Sequence, residues 1–230
     1  MTNGYLLIPR HWHVVEITGP DARDFLHRIT SANFRNLADG TWAEGALLAA
    51  TGKIQLYFRA YAENGQTFRI FTPWDLNPAF NCFDKMHFGE KLTITPMTWE
   101  QFRVEHGIPT HPNEINDGVN PLEIGLEGAV HENKGCYPGQ EVIEKIRSYG
   151  KLSRRLVLVG GAGGAPSSPA TVLTVGDGGA PRDVGTLTSA VESARDKNRW
   201  IGLALLQRAA LEQGTTFTLA HGGTAVELRS

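Results

Sequence analysis

The sequence has few cysteines, little net charge and no long apolar run, and each shortage excludes a class of protein. Two cysteines among 230 residues are too few for a disulfide framework, which predicts a thiol-reduced protein. The net charge of −2 gives no field suited to polyanions, so we expect neither direct nucleic-acid binding nor attraction to an anionic membrane. No segment approaches the roughly 20 apolar residues that cross a bilayer, and residues 1–10 lack the apolar run of a signal peptide. These absences predict a cytoplasmic protein.

Several motifs of catalysis and metal binding are also missing. The glycine-rich run at 160–164 is not followed by Lys-Ser/Thr, which argues against a phosphate-binding loop. There is no G-x-S-x-G elbow of the kind that carries a nucleophilic serine. His11 and His13 form a pair, and His131 precedes Cys136 by five residues, but a zinc site needs three or four ligands at closer spacing. The sequence therefore predicts no metal site.

Helix and strand patterns alternate along the first two thirds of the chain without a βαβ rhythm. Helices are predicted to open at Asp21 and Asp75, and the second encloses Cys82, for which a buried structural position is the favoured interpretation. Strands are predicted at 42–50, 54–61, 68–71, 91–95 and 101–104.

A run rich in glycine and proline at 160–169 interrupts this pattern. It is predicted to hold no regular structure and to be either a linker or a long hairpin tip. The strands predicted beyond it lie at 171–175, 184–190, 200–206, 215–220 and 225–228. Short strands separated by polar turns predict a small antiparallel barrel, although 201–213 also fits a helix.

The most informative motif is K-G-C-Y-P-G-Q-E at residues 134–141, which places a lone cysteine at the start of a predicted helix. Pro138 suits the first helical position because its missing N–H would be unpaired there anyway. The free N–H groups and the dipole of a helix start favour a thiolate at Cys136. Lys134 favours the thiolate as well, whereas Glu141 opposes it. A small apolar filler in a tight turn explains Cys136 equally well.

Two charged features flank this motif. Glu123 and Glu127 precede it, and a carboxylate in an apolar cleft can accept two parallel N–H bonds from an aminopyrimidine edge, as in a pterin. Arg154 and Arg155 follow it, and they can meet the carboxylates of an acidic ligand or neutralise the end of the preceding helix. Solvated loop charge is the alternative for the two carboxylates. Together the thiol, the carboxylates and the arginines form the set that a folate-like ligand needs.

The motif and its flanks resemble the YgfZ family of folate-binding proteins, which are relatives of the T-protein (aminomethyltransferase) of the glycine cleavage system. Residues 134–141 match the family signature K-G-C-Y-x-G-Q-E in full. Further matching segments lie at 17–22, 25–26, 29–31, 154–156, 185–189 and 202–206. The resemblance implies a three-lobed α+β fold, with two interleaved α+β subdomains in residues 1–155 and a C-terminal antiparallel β-barrel in residues 156–230.

The resemblance also implies a function and a set of site residues. It implies binding of tetrahydrofolate or a derivative, and a role in the synthesis or repair of iron–sulfur enzymes, including those that modify tRNA. The implied partners are thus folate and iron–sulfur client proteins. Cys136 is then the signature thiol, and Glu123 the residue that holds the pterin. The other implied ligand-binding residues are Lys134, Tyr137, Gln140, Glu141, and Arg154 or Arg155 at the glutamate end of the folate.

The sequence departs from the T-proteins at their catalytic acid. Their G-G-I-L-D-D-L segment corresponds to residues 52–57 here, which contain no acid, so electrostatic assistance at the reacting centre is missing. A folate-binding accessory protein for iron–sulfur enzymes is therefore the leading hypothesis. A folate-dependent aminomethyltransferase or other one-carbon transferase is the alternative, and a third hypothesis is an interaction module with no affinity for folate.

Overall fold

The computed structural model describes residues 12–131, 137–150, 152–175, 180–213 and 216–229. Its contacts divide the chain into two compact units, one ending at Phe102 and the other beginning at Arg103. Within the described residues, no helix combines the length and the apolar character that crossing a bilayer requires. The domain boundary predicted between residues 155 and 156 falls inside the second unit and stays a prediction.

The first unit is a five-stranded antiparallel sheet with helices packed against it. The strands lie in the order β2-β3-β4-β1-β5. They are β1 (His13–Thr18), β2 (Trp42–Leu48), β3 (Ile54–Ala62), β4 (Thr67–Thr72) and β5 (Thr93–Met97). The helices are α1 (Ala22–Ile29), α2 (Leu76–Asp84) and α3 (Trp99–Glu105), of which α3 runs across the boundary between the units.

Alternation along the strands builds the core of this first unit. Because successive side chains of a strand point to opposite faces, Val15 and Ile17 share one face of β1, and both are fully buried. Phe25 of α1 packs into the same core. Cys82 of α2 is partly buried against it, and this burial raises the pKa of the thiol, with nearby Lys85 opposing the shift.

The strand predicted at 101–104 is wrong, because these residues belong to α3. The hydroxyl of Thr98 accepts a hydrogen bond from the backbone N–H of Gln101 at 3.1 Å. The side chain of Gln101 in turn accepts from the backbone N–H of Thr98 at 2.9 Å. This reciprocal capping box is a helix-start signal that the short apolar alternation concealed.

The second unit is built around a closed antiparallel barrel, which confirms the predicted α+β chain with a C-terminal barrel. The barrel order is β10-β11-β6-β9-β8-β7, and β7 pairs with β10 to close it. Helix α4 (Gln140–Tyr149) precedes the barrel, and two 3-10 turns lie before it at Pro121–Ile124 and Glu127–Ala129. The barrel elements are β6 (Arg154–Ala162), β7 (Ala170–Val175), β8 (Arg182–Glu192), β9 (Arg199–Gln207), α5 (Arg208–Glu212), β10 (Thr216–Leu219) and β11 (Ala225–Leu228).

The glycine-rich run at 160–169 is only partly irregular, contrary to the prediction. Strand β6 continues through Gly160 and Gly161, and the irregular part joins β6 to β7, which are not neighbours in the barrel. A Cβ on Gly161 would lie 2.6 Å from Nε1 of the fully buried Trp200. Glycine is therefore needed here for the close approach of an indole ring, and not for a flexible linker.

Two further predictions are resolved near the ends of helices. Pro138 does not occupy the first helical position, since α4 begins at Gln140 with Gly139 (φ 85°) as its N-cap. The segment 201–213, for which strand and helix were both possible, divides between β9 and the short α5.

Candidate functional site

Glu123 lies in the 3-10 turn Pro121–Ile124, which a reciprocal cap holds in place. The side chain of Asn120 accepts a hydrogen bond from the backbone N–H of Leu122 at 2.9 Å. Glu123 folds back so that its Oε2 accepts from the backbone N–H of Asn120 at 3.0 Å. Proline suits the start of the turn because no N–H is left unpaired there. The result is a carboxylate that is only 5% exposed.

Arg154, at the start of β6, pairs with this carboxylate through two hydrogen bonds. Its Nε donates to Oε1 of Glu123 at 3.0 Å, and its Nη2 donates to Oε2 at 2.8 Å. Ser153 adds a hydroxyl bond to Oε1 at 3.3 Å. Two parallel bonds between a guanidinium and a carboxylate are among the strongest polar contacts in proteins. The structure thus brings together two predicted ligand-binding residues, and it brings them together as partners of each other.

The pair fixes the charge of Glu123. Burial by itself raises the pKa of Glu123, because a carboxylate is poorly solvated in the protein interior. The hydrogen bonds from Arg154 and from the backbone N–H of Asn120 outweigh burial, so the pKa of Glu123 lies below its ordinary value. The hydrogen bond to Glu123 likewise raises the pKa of Arg154. Glu123 is therefore ionised at neutral pH.

Glu123 forms part of the wall of a cavity of 530 Å³ in the second unit. Arg155 lies on the same wall and is exposed. Among the described residues, its side chain has no hydrogen-bond or ion-pair partner. Much of the remaining wall is aliphatic, and it includes Leu122, Ile124, Leu152, Leu156, Leu158 and Leu211. The cavity therefore combines an ionised carboxylate, a guanidinium with no partner in the part of the chain that the structure describes, and apolar surface.

Arg154 and Arg155 serve different cavities although they are adjacent in sequence. Successive side chains of β6 point to opposite faces, so Arg155 lines the 530 Å³ cavity while Arg154 lines a second cavity of 470 Å³. The sequence left open which arginine faces an acidic ligand. Because Arg154 is already paired with Glu123, the geometry favours Arg155 for that role.

The other predicted site residues are not gathered at this cavity. Tyr137 lies just before α4, Gln140 is the first residue of α4, and Glu141 is exposed in its first turn. None of the three lines the 530 Å³ cavity. Cys136 and Lys134 lie outside the described residues, so the thiol at the centre of the motif stays a prediction.

Sequence reasoning missed a buried ion pair in the second unit. Arg103 and Glu114 are each 1% exposed, and Nη1 of Arg103 lies 3.1 Å from Oε2 of Glu114. The hydroxyls of Thr188 and Ser189 donate to Oε1 of Glu114 at 2.7 and 2.6 Å. The backbone N–H of Thr110 donates to Oε2 at 3.0 Å. Glu114 stands in a loop without periodic pattern, so nothing in the sequence marked it as buried.

Metal ligation finds no support in the part of the chain that the structure describes. There, no three side chains of His, Cys, Asp or Glu converge in a way that could hold an ion.

Comparison with known proteins finds relatives but no matching family model. A chloroplastic protein of Arabidopsis thaliana described as a transferase is 35% identical over 130 residues, which cover 56% of this chain and 28% of the relative. The mitochondrial iron–sulfur cluster assembly factor IBA57 homologue of Candida glabrata is 34% identical over 99 residues, 40% of this chain and 20% of the relative. The tRNA-modifying protein YgfZ of Cronobacter sakazakii is 29% identical over 164 residues, 70% of this chain and 47% of the relative.

The matched region thus spans less than half the length of each of these relatives. Among solved structures, the glycine cleavage system aminomethyltransferase T of Bartonella henselae aligns with 96% of this chain and 83% of its own. The sequence identity is 14% and the TM-score is 0.49.

Proposed function

We propose that the chain belongs to the family of YgfZ and IBA57, relatives of the glycine-cleavage T-protein, and that it is a folate-binding accessory protein for iron–sulfur enzymes. The cofactor proposed is tetrahydrofolate or a derivative. The proposed partners are iron–sulfur client proteins, including enzymes that modify tRNA. The cytoplasmic location and the absence of direct nucleic-acid binding stay predictions from the sequence.

One observation carries the folate part of the proposal: a single cavity contains both Glu123 and Arg155. A pterin presents a ring N–H and an amino group side by side, which an ionised carboxylate can accept in parallel. The glutamate end of a folate carries carboxylates, for which an unpaired guanidinium is a suitable partner. A cavity of 530 Å³ lies within the range of ligand pockets in proteins, and its aliphatic wall suits the rings.

Tetrahydrofolate therefore fits the chemistry of the residues present, with one condition. Glu123 would hold the pterin, the leucine-rich wall would exclude water, and Arg155 would hold the acidic tail. Glu123 already accepts two hydrogen bonds from Arg154, and the condition is that Arg154 releases them when the ligand binds. A bound tetrahydrofolate supplies a carrier for one-carbon groups, whereas the protein supplies orientation and charge.

The iron–sulfur part of the proposal rests on Cys136 and on the relatives. IBA57 is named an iron–sulfur cluster assembly factor, and YgfZ is named a tRNA-modifying protein. Iron–sulfur clusters usually require four cysteine ligands, so Cys136 cannot hold one alone. We therefore assign to the thiol a transient contact with a cluster or a persulfide on a client protein.

Calorimetric titration with tetrahydrofolate tests the folate site. We expect saturable binding by the wild type and at least about 30-fold weaker binding by Glu123→Ala, because a hydrogen-bonded charge contributes about 2 kcal/mol. Arg155→Met should weaken the binding of tetrahydrofolate. It should leave the binding of 6-methyltetrahydropterin unchanged, because this compound lacks the glutamate.

Glu127→Ala is the matched control for this titration. Glu127 lines the same cavity but is exposed, so its removal should leave binding nearly unchanged. If the folded wild type shows no binding of tetrahydrofolate and Glu123→Gln behaves identically, the folate site fails and the interaction module becomes the leading hypothesis. Formation of methylene-tetrahydrofolate from an aminomethyl-lipoyl donor would instead favour the aminomethyltransferase.

Complementation of a deletion strain tests the thiol. We expect Cys136→Ala to leave the activity of a tRNA-methylthiolating enzyme close to that of the deletion strain, because no other group at the motif can replace a thiolate. Cys82→Ala is the matched control and should restore activity, since Cys82 packs against the core of the first unit. Full restoration by Cys136→Ala, at equal protein levels, would remove the thiol from the proposal.

A further inference from the structure

The carboxylate of Glu123 has no acceptor capacity left for a ligand. An ionised carboxylate offers about four lone-pair positions. Oε1 accepts from Ser153 and from Nε of Arg154. Oε2 accepts from Nη2 of Arg154 and from the backbone N–H of Asn120. A ligand can bind this carboxylate only if one of these donors leaves.

The contact that Arg154 makes has the same form as the contact proposed for the ligand. Arg154 presents two parallel N–H groups, one to each oxygen of Glu123. The edge of the 2-amino-4-oxopyrimidine ring of a pterin, with its ring N–H and its exocyclic amine, presents two parallel N–H groups of similar spacing. The guanidinium therefore occupies the place that the pterin edge requires.

Of the three donor residues, Arg154 is the one that can leave. The N–H of Asn120 is part of the backbone and is fixed by the cap of the 3-10 turn. Ser153 makes a single, longer contact of 3.3 Å, and its departure would free only one position. The side chain of Arg154 is 37% exposed and also lines the second cavity, so its guanidinium can be solvated after it leaves Glu123. Its Nη2 also donates to the carbonyl oxygen of Gly118 at 2.9 Å, an exposed hydrogen bond that water can replace.

We propose that Arg154 is an internal competitor for the ligand of Glu123, so that the site accepts only a molecule whose planar edge replaces the two N–H bonds of the guanidinium. Two consequences follow. In the ligand-free protein, the buried carboxylate of Glu123 stays paired with Arg154. A ligand with a single donor cannot displace the two hydrogen bonds of the guanidinium. The inference rests on the proposed folate site. It adds that this site selects ligands that carry the 2-amino group beside a ring N–H.

Titration of the full chain with 6-methyltetrahydropterin tests this, because the probe has the 2-amino edge but no acidic tail. We expect Arg154→Met to bind the probe about tenfold more tightly than the wild type, since about 1.4 kcal/mol of pairing is no longer displaced. Arg199→Met is the matched control, because it removes the same charge from an exposed position of the barrel, where Arg199 pairs with Glu227 and not with Glu123, and it should show no gain.

A second variant controls for a folding defect in Arg154→Met, in which the buried carboxylate of Glu123 loses its counter-ion. Arg154→Lys keeps the positive charge but cannot present two parallel donors. It should gain affinity for the probe in the same direction, by a smaller factor. Thermal unfolding of each variant with and without the probe reports folding and binding in one measurement.

The outcomes separate this inference from the proposed function. Wild-type binding that Glu123→Ala abolishes, with no gain in either folded Arg154 variant, overturns the inference and leaves the folate site standing. Binding that appears only after Arg154 is replaced supports the inference. Absence of binding in the wild type and in both variants overturns the folate site and the inference together.

Discussion

Replacing Glu114 by alanine should lower the free energy of unfolding by about 3–5 kcal/mol, because it removes the buried carboxylate that pairs with the buried Arg103. Glu114 and Arg103 are each 1% exposed, and Oε1 of Glu114 also accepts from the hydroxyls of Thr188 and Ser189. Loss of the carboxylate therefore removes the acceptor of several buried donors at once. Urea denaturation followed by circular dichroism at pH 7 measures the change.

Two controls separate this buried pair from surface charge. Glu227 pairs with Arg199 in the same unit but is 55% exposed, so Glu227→Ala should cost less than about 1 kcal/mol. The double variant Arg103→Leu/Glu114→Leu should be less destabilised than Glu114→Ala, because it removes both buried charges and keeps apolar side chains in their place. A loss below about 1 kcal/mol in Glu114→Ala would show that water reaches the pair, in conflict with its burial.

The second large effect is expected at Gly185 in β8. Its φ of 147° is a conformation that L side chains rarely adopt, and a Cβ there would lie 2.1 Å from the backbone oxygen of Leu205. Backbone strain and steric overlap each cost about 1–3 kcal/mol, so Gly185→Ala should lower the free energy of unfolding by about 3–5 kcal/mol. The neighbour is backbone of the adjacent strand β9, which cannot move without breaking barrel pairing.

Gly163→Ala is the matched control in the same barrel. Gly163 also has a positive φ, 87°, but nothing lies within 4 Å of a Cβ built on it. Its substitution tests strain without overlap, and we expect a loss of about 1 kcal/mol. Chemical denaturation of both variants measures the loss in the free energy of unfolding. Equal losses would mean that the backbone of β9 at Leu205 shifts at little energetic cost.

Elements whose signals are local were predictable from the sequence. Helix α1 followed from the apolar spacing of Ala22, Phe25 and Leu26, which are buried as a set. The barrel strands followed from short alternating runs between polar turns, and the closed barrel confirms them. Where prediction failed, a second signal was present but competed with a stronger one. The capping box of Thr98 and Gln101 competes with a four-residue alternation that predicts a strand. The glycines of β6 fit the composition of a flexible loop although they lie in a strand.

The candidate site was predictable as a set of residues but not as an arrangement. The sequence named Glu123, Arg154 and Arg155 from their chemistry and from the resemblance. It did not show that Arg154 makes two parallel hydrogen bonds to Glu123, since these residues are 31 positions apart. The burial of Glu114 could not be predicted from the sequence. Its partner Ser189 lies 75 positions away, and no local pattern indicates the contact.

The sequence by itself determined the α+β class, the barrel and the charged groups available to a ligand. These depend on periodicity and residue chemistry, which act over a few neighbouring positions. Only the tertiary structure decided which charges neutralise each other and which one stays available. Folding places the 3-10 turn of Glu123 beside the first residue of β6, and the alternation of that strand sends Arg154 to the carboxylate and Arg155 to the cavity. Pairing between distant segments depends on how the elements pack, and no local pattern in the chain encodes it.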